Sequence, residues 1–91
     1  MGKRLSRSDY WRIMKNILKK LYSKQAFGKG HLLFERLQSG IPGHLKGFTK
    51  PVLSDLIRKE LVLFYGKTKY GDAFQLNIKK LAEIEKIIFE R

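Results

Sequence analysis

One stretch of the chain, residues 49–77, limits the possible folds most, because it places a helix directly before a β-hairpin. Thr49 suits the N-cap position, and Pro51 falls in the first turn, where its missing N–H costs no hydrogen bond. The helix is expected to continue to about Glu60. Its apolar residues cluster on one side, at Val52, Leu53, Leu56 and Ile57. This helix is therefore expected to pack one face on a core and to turn the other outward.

The residues after this helix predict two strands joined by a basic turn. Residues 61–65 are aliphatic and aromatic, which favours a strand, and residues 66–71 predict a turn with a glycine at each end. Residues 72–76 alternate and predict the return strand. The alternation assigns two pairs of side chains to opposite faces: Phe74 with Leu76, and Ala73 with Gln75.

A first helix is predicted from a capping-box-like start at residues 6–9 to about Tyr22. Its apolar stripe recurs at helical spacing, at Tyr10, Met14, Ile17, Leu18 and Leu21. The opposite face is basic, with Arg12, Lys15, Asn16 and Lys19. The stripe is expected to enter the core, and the basic face is either solvated or in contact with phosphates.

A second helix is predicted over residues 31–38, with Gly40 as its C-terminal cap and Pro42 enforcing the stop. Residues 26–27, in the preceding connection, are compatible with a very short strand. The connection after the second helix, residues 41–48, is rich in glycine and proline. We expect Leu45 to anchor it to the core.

A last helix is predicted from the cap at Asn77 through residues 78–90. It carries more apolar surface than one contact needs, so we expect it to pack on the first helix and also on a second subunit. The residues predicted for dimerisation are Leu81, Ile84, Ile87 and Ile88. The alternative is a frayed C-terminal helix that leaves some apolar residues exposed.

The net charge of the chain indicates which class of molecule it binds. The 91 residues include 20 Lys and Arg against 8 Asp and Glu, for a net charge of +12. The excess lies in residues 1–80, which hold 18 basic and 5 acidic residues, whereas residues 81–91 hold 2 and 3. A surface this basic attracts polyanions, most often DNA or RNA. The alternative is a lysine-rich surface that only aids solubility.

The order helix, helix, helix, hairpin resembles the winged helix-turn-helix superfamily, especially small archaeal and other prokaryotic transcription regulators. The resemblance is carried by residues 49–62 and by the basic turn from Lys67 to Tyr70. It implies an α+β winged helix, a three-helix core with a β-hairpin wing, plus a C-terminal helix in a single domain, 1–91. The long 40–48 connection departs from the usual pattern.

The resemblance also implies that the third helix enters the major groove and that the wing grips the backbone. Arg58 is expected to bond a guanine, Ser54 a base or phosphate, and Lys50 a phosphate. Asp55 opposes phosphate unless it accepts from a cytosine amino group or pairs with Lys59 four residues on. The full predicted set of nucleic-acid-binding residues is Thr49, Lys50, Ser54, Arg58, Lys59, Lys67, Lys69 and Tyr70.

Little in the sequence favours catalysis or a cofactor. His31 and His44 have no nearby cysteine or paired carboxylates, so no metal site is predicted. Residues 66–68 read Gly-Lys-Thr but lack the earlier glycine of a phosphate-binding loop. No apolar run is long enough to span a membrane, and the N-terminus lacks the apolar segment of a signal peptide. We therefore expect a cytoplasmic protein that is not an enzyme, with no metal, cofactor or small-molecule substrate.

The leading prediction is a double-stranded-DNA-binding transcription regulator that acts as a homodimer. Two alternatives stay open. The first is RNA binding by the same fold, with Tyr65 and Tyr70 stacking unpaired bases. The second is a protein-interaction module in which the last helix carries the function.

Overall fold

The computed structural model describes residues 5–89, which form an α+β domain of four α-helices and a three-stranded antiparallel sheet. The predicted helical residue 90 and the N-terminal residues 1–4 lie outside this range. The α-helices are α1 (Arg7–Ser23), α2 (Phe34–Gln38), α3 (Thr49–Arg58) and α4 (Leu81–Phe89). The strands are β1 (Leu32–Leu33), β2 (Val62–Thr68) and β3 (Gly71–Leu76), and 3₁₀ helices cover Gly43–Phe48 and Ile78–Lys80. The sheet order is β1-β3-β2.

Helix α1 follows the prediction to within a residue at each end. Ser6 caps it, since its hydroxyl accepts a hydrogen bond from the Asp9 backbone N–H at 3.1 Å. The buried face consists of Ile13, Met14, Ile17, Leu18 and Leu21. These side chains share one core with residues of α3, α4 and the sheet, so α1 is the element on which the others pack.

The predicted second helix was too long at its start. Residues 32 and 33 are extended and pair with Phe74 and Ala73 of β3, so α2 begins only at Phe34. The short strand considered at residues 26–27 is not formed. The Ala26 carbonyl instead accepts a single backbone hydrogen bond from Leu76 N–H at 2.7 Å. Pairing with a distant strand overrode local helical spacing here.

The connection to α3 is ordered rather than an open loop. Gly40 has φ +90°, a left-handed conformation that glycine adopts without strain, which agrees with its predicted place at the end of α2. The 3₁₀ helix then carries the chain to α3, and Leu45 is buried in the core as expected.

Helix α3 keeps the predicted apolar face, but its start was predicted wrongly. Thr49 is the first helical residue, and Phe48 before it supplies no side-chain cap. Val52, Leu53 and Leu56 are buried. The helix ends at Arg58, and Glu60, with φ +63°, redirects the chain into β2.

The hairpin is longer and its turn tighter than predicted. Strand β2 runs on through residues 66–68, and Thr68 pairs with Gly71, so the connecting turn is only Lys69 and Tyr70. The Thr68 hydroxyl accepts from Tyr70 N–H at 3.1 Å and donates to the Gly71 carbonyl at 2.8 Å. The glycines lie inside the paired strands, and the basic turn projects at the end of a rigid ladder.

The last helix begins with a 3₁₀ turn and is tied to its surroundings. The Asn77 side chain accepts from Lys79 N–H, as a cap, and donates to the Glu60 carbonyl at 2.8 Å. The Tyr22 hydroxyl donates to Glu85 Oε2 at 2.7 Å, which joins α1 to α4. Within residues 5–89, no helix is both long and apolar enough to cross a membrane.

Candidate nucleic-acid interface

The outward face of α3 borders a groove. Lys50 and Ser54 are exposed, Ile57 is half-buried, and all three line one side of this groove. Their spacing of four and three residues places them along one face of the helix. The prediction that Lys50 and Ser54 point away from the core is confirmed.

The hairpin forms the opposite side of the groove, and a β-bulge decides which hairpin residues face it. Phe64 pairs with Phe74, but Gly66 pairs with Ala73, so Tyr65 is left without a partner in the ladder. The bulge shifts the alternation of side chains by one residue beyond this point. Lys67 therefore pairs with Asp72 and shares the face of Phe64 and Phe74.

The groove has a volume of about 660 Å³ and an apolar floor. Its floor includes a chain of three rings: Phe74 has its centroid 5.7 Å from Phe64 and 6.5 Å from Phe34, both in edge-on geometry. Leu53 and Ile57 of α3 complete the apolar lining. Tyr70, which is 76% exposed, stands at the rim in the turn. This groove is called the α3–hairpin groove below; its lining residues are Phe34, Glu35, Lys50, Leu53, Ser54, Ile57, Phe64, Phe74 and residues 70–72.

Charges of both signs surround this groove. Lys50 lines it, Lys67 lies on the same sheet face by its pairing, and Lys69 is adjacent to Tyr70 in the turn. Two carboxylates also line it, Glu35 of α2 and Asp72 of β3. A phosphate is therefore favoured at the cationic rim and opposed near the carboxylates.

Arg58 and Lys59 lie at an edge of α3 that faces α1, and neither lines the groove. Arg58 Nη2 is 3.4 Å from Asp55 Oδ1, and Lys59 Nζ is 4.0 Å from Asp55 Oδ2. The Asp55–Lys59 pairing is the one that the sequence predicts. Because Asp55 shares the exposed guanidinium of Arg58, this ion pair competes with guanine contact.

Tyr10 of α1 completes this edge. The Tyr10 hydroxyl donates to Asp55. The Lys59 ammonium donates to the hydroxyl oxygen of Tyr10 at 3.4 Å and lies 5.5 Å from the centroid of the Tyr10 ring. Partial burial and the hydrogen bond to Asp55 raise the pKa of Tyr10 above its ordinary value, against the opposing effect of Lys59. Tyr10 therefore stays protonated at neutral pH, and Asp55 is held toward α1 rather than toward a ligand.

Thr49 does not belong to the interface. It is completely buried, and its hydroxyl oxygen has no hydrogen-bond partner. Its prediction as a nucleic-acid contact and as an N-cap is wrong, because the 3₁₀ helix before α3 supplies the turn and moves Thr49 inside.

The four residues predicted for dimerisation pack on their own chain. Ile84 and Ile88 are buried in the core that α1 also lines, and Leu81 and Ile87 pack against that core. The prediction of a dimer contact is wrong for Ile84 and Ile88, since exposing them requires opening the core. For Leu81 and Ile87, which are half-buried, it stays a prediction. A homodimer through some other surface stays a prediction.

Several residues of this face were missed by reasoning from the sequence. Phe34, Glu35 and Phe64 were not assigned to any site, and Asp72 was assigned only to a strand. Alternation identifies the face of Phe74, but the bulge at Tyr65 has no clear sequence signal. Tyr65, predicted to stack on bases, instead stacks on His31 with ring centroids 4.3 Å apart.

A second basic surface lies on α1. Arg12 and Lys19 are exposed, and with Lys15 and Asn16 they line a shallow depression separate from the α3–hairpin groove. Asn16 donates to the Gly40 carbonyl at 3.1 Å, so this basic surface of α1 is joined to the end of α2. It offers cations without an aromatic floor, which suits general attraction of polyanions more than a defined contact.

The chain matches no protein-family model, no curated protein and no solved structure. Within residues 5–89, no three His, Asp or Glu side chains gather where they could hold a metal ion. Function is therefore inferred from the geometry of the groove and its charges.

Proposed function

We propose that this chain is a winged-helix DNA-binding protein that holds double-stranded DNA against the α3–hairpin groove. The observation that carries the proposal is a groove that Lys50 of α3 lines, whose other side is a hairpin that carries two further lysines, Lys67 and Lys69. The order helix, helix, helix, hairpin and the net charge of +12 support it.

The two sides of the groove have different roles in this proposal. Ser54 and Lys50 lie on the exposed face of α3, which enters the major groove, about 12 Å wide. Lys67 and Lys69 neutralise phosphates beside it. Arg58 takes a secondary role at the helix edge, because Asp55 competes for its guanidinium. The hairpin therefore supplies most of the affinity, and α3 supplies orientation and some sequence preference.

Regulation of transcription is the role that the winged-helix resemblance implies for such a protein. Occupying a promoter would suffice for repression. If the protein acts as a homodimer, the contact must use surfaces other than Ile84 and Ile88, which the core already covers. A palindromic consensus selected from a random duplex pool would support the dimer, and a single half-site would argue for a monomer.

The proposal is tested by fluorescence anisotropy of a labelled duplex across a salt series. We expect micromolar or tighter binding at low salt that weakens steeply, since each neutralised phosphate adds about −0.9 to the slope of log K against log salt. Lys67→Ala should weaken binding to all sequences and reduce the magnitude of that slope by about 0.9.

Lys86→Ala is the matched control for that variant. Lys86 is equally an exposed lysine but lies on α4, away from the groove. Its removal should leave the slope and the affinity nearly unchanged. Absent binding, salt-independent binding, or equal effects of the two substitutions would contradict the proposal.

RNA is a second candidate for the same face, and the exposure of Tyr70 favours it. An exposed aromatic ring beside cations suits unpaired bases, which RNA loops present more often than duplex DNA. Competition between duplex DNA and a structured RNA for the labelled complex separates the two. If RNA displaces the labelled duplex at a much lower concentration than unlabelled duplex DNA does, RNA is the preferred ligand of this face.

A further inference from the structure

The floor of the α3–hairpin groove is unusual for a surface that only grips phosphates. Phe64 is 51% exposed although its ring contacts Phe74, and Tyr70 is more exposed still. Exposed apolar area costs about 25 cal/mol per Å² relative to covered area. The volume of about 660 Å³ falls within the range of small-molecule sites, roughly 300–1,000 Å³. The groove is thus suited to cover a flat apolar ligand.

The polar groups in the groove restrict that ligand further. Glu35 and Asp72 are carboxylates, which at neutral pH accept hydrogen bonds and repel anions. Phosphates and acidic peptides are therefore both disfavoured on the floor. An exocyclic amino group of adenine, cytosine or guanine is a suitable donor for these carboxylates, and Ser54 can donate or accept.

Lysines lie on both elements that form the groove, where they can contact the phosphates of a strand whose bases point inward. Lys67 occupies the groove face because of the bulge, Lys69 is in the turn beside Tyr70, and Lys50 lies across on α3. Aromatic floor and cationic rim together match the two parts of a nucleotide strand, its neutral bases and its charged phosphates.

We propose that the groove holds one or two unpaired bases of a nucleic-acid strand, stacked on Phe64 and Tyr70, with the flanking phosphates on Lys50, Lys67 and Lys69. This inference rests on the proposed function, that this face binds nucleic acid, and adds that the preferred target contains an unpaired segment, such as an overhang, a bulge or a melted end. Bases that carry an exocyclic amino group bind better than thymine or uracil, whose ring N3–H lies between two carbonyl oxygens that the carboxylates of Glu35 and Asp72 repel.

The test compares a blunt duplex with a duplex of the same length that carries a short adenine overhang. A 2-aminopurine placed in the overhang reports stacking by loss of its fluorescence. We expect the overhang to bind about tenfold more tightly than the blunt duplex, in line with the energy of stacking a base on an aromatic ring. The fluorescence should fall on binding.

The variants Phe64→Ala and Tyr70→Ala should each lose about tenfold in affinity for the overhang, which brings that affinity close to the affinity for the blunt duplex. Tyr65→Ala is the matched control. Tyr65 is similarly exposed, at 46%, on the same strand as Phe64, but it stacks on His31 and does not line the groove. It should change neither affinity by more than about twofold.

Base preference gives a second measurement. An overhang of thymines should bind several-fold more weakly than one of adenines or cytosines. The double variant Glu35→Gln, Asp72→Asn should narrow that difference, because an amide can also donate to a thymine carbonyl. A difference that persists unchanged in the double variant would contradict the role of the carboxylates.

The outcomes separate this inference from the proposed function. If blunt and overhanging duplexes bind equally, and Phe64→Ala affects neither, the base site is wrong while nucleic-acid binding by this face stands. If neither substrate binds, both are wrong. If the overhang binds tightly without quenching and without dependence on Phe64 or Tyr70, the unpaired strand lies elsewhere and the inference is overturned.

Discussion

The last helix, whose apolar residues were predicted to pack on α1 and on a second subunit, differs from the hairpin in how far its apolar side chains are buried. On α4, Ile84 is 0% exposed and Ile88 is buried beside it. On the hairpin, Phe64 and Tyr70 remain largely exposed. Helix α4 thus contributes most of its apolar surface to the fold, although Phe89 stays 49% exposed, whereas the hairpin leaves Phe64 and Tyr70 uncovered.

The difference follows from what each element packs against. Helix α4 returns to α1, where Tyr22 donates to Glu85 and the Tyr22 and Phe89 rings meet edge to face at 5.8 Å. On the hairpin, Val62, Ala73, Phe74 and Leu76 are buried, whereas Phe64 and the residues of the turn stay exposed. An apolar pattern in the sequence identifies side chains that burial would stabilise. The path of the chain decides whether the protein buries them itself.

The largest expected effect comes from Ile84→Ala. Truncating a fully buried isoleucine should lower the free energy of unfolding by about 3 kcal/mol, through lost burial and the cavity left behind. Urea denaturation measures the change. Sedimentation should show the same oligomeric state for wild type and variant. If the wild type is a dimer and the variant is a monomer of near-normal stability, Ile84 lies at a subunit interface and not in the core.

Gly30→Ala should come next, because the loop that braces β3 has no room for a methyl group. A Cβ at Gly30 would lie 2.4 Å from the Gln25 carbonyl oxygen, and Gln75 of β3 donates to the carbonyls of Gly28 and Gly30. We expect a loss of about 2 kcal/mol in the free energy of unfolding. Gly47→Ala is the control, since nothing lies near its Cβ position. If Gly30→Ala and Gly47→Ala lower the free energy of unfolding equally, the contact between Gly30 and the Gln25 carbonyl does not limit the residue at position 30.

Thr49→Val should stabilise the protein. The buried hydroxyl of Thr49 has no partner, so replacing it with a methyl group of similar shape removes a desolvation cost of about 1 kcal/mol. Thermal denaturation should show a higher midpoint, with unchanged binding to DNA. Destabilisation would mean that the hydroxyl has a partner in solution, and lost binding would return Thr49 to the interface.

Tyr22→Phe should lower the free energy of unfolding at neutral pH, since it removes the hydrogen bond that joins α1 to α4. The hydrogen bond to Glu85 raises the pKa of Tyr22 above its ordinary value of 10.0. A raised pKa favours the neutral tyrosine in the folded state, so its contribution is complete below about pH 10 and is lost as pH rises through the folded value. Denaturation of both proteins at neutral and strongly alkaline pH checks this, and a pH-independent difference would contradict it.

Phe64→Ala should have the smallest effect on folding. Because half of the ring is already in water, we expect a change in the free energy of unfolding of about 1 kcal/mol or less. Denaturation beside Ile84→Ala gives the comparison directly. A cost as large as that of Ile84→Ala would mean that the hairpin aromatics belong to the core after all.

The sequence allowed the helices of the core to be predicted where local signals suffice. Ser6 caps α1, and the apolar faces of α1 and α3 follow from helical spacing. Long-range pairing could not be predicted in the same way. Residues 32 and 33 look helical by spacing, but they become a strand because β3 has a free edge to which they pair.

The interface was predictable only in part for the same reason. Lys50, Ser54, Lys67, Lys69 and Tyr70 lie where the sequence places them, on the outer face of α3 and in the hairpin. The bulge that turns Lys67 to the face of Phe64 depends on the register between two strands. The ion pairs of Arg58 and Lys59 with Asp55 are local, but the hydrogen bond from Tyr10 to Asp55 depends on how α1 crosses α3, which no local pattern encodes.

The most direct test of the central claim maps the contact surface residue by residue. Amide chemical shifts of the ¹⁵N-labelled protein are followed by NMR as a short duplex with an adenine overhang is added. If this face binds nucleic acid, the shift changes should cluster on α3 at Lys50 and Ser54, and on the hairpin from Phe64 to Asp72, with α4 unaffected. Changes confined to α4, or to the basic surface of α1 at Arg12 and Lys19, would contradict binding by the α3–hairpin groove.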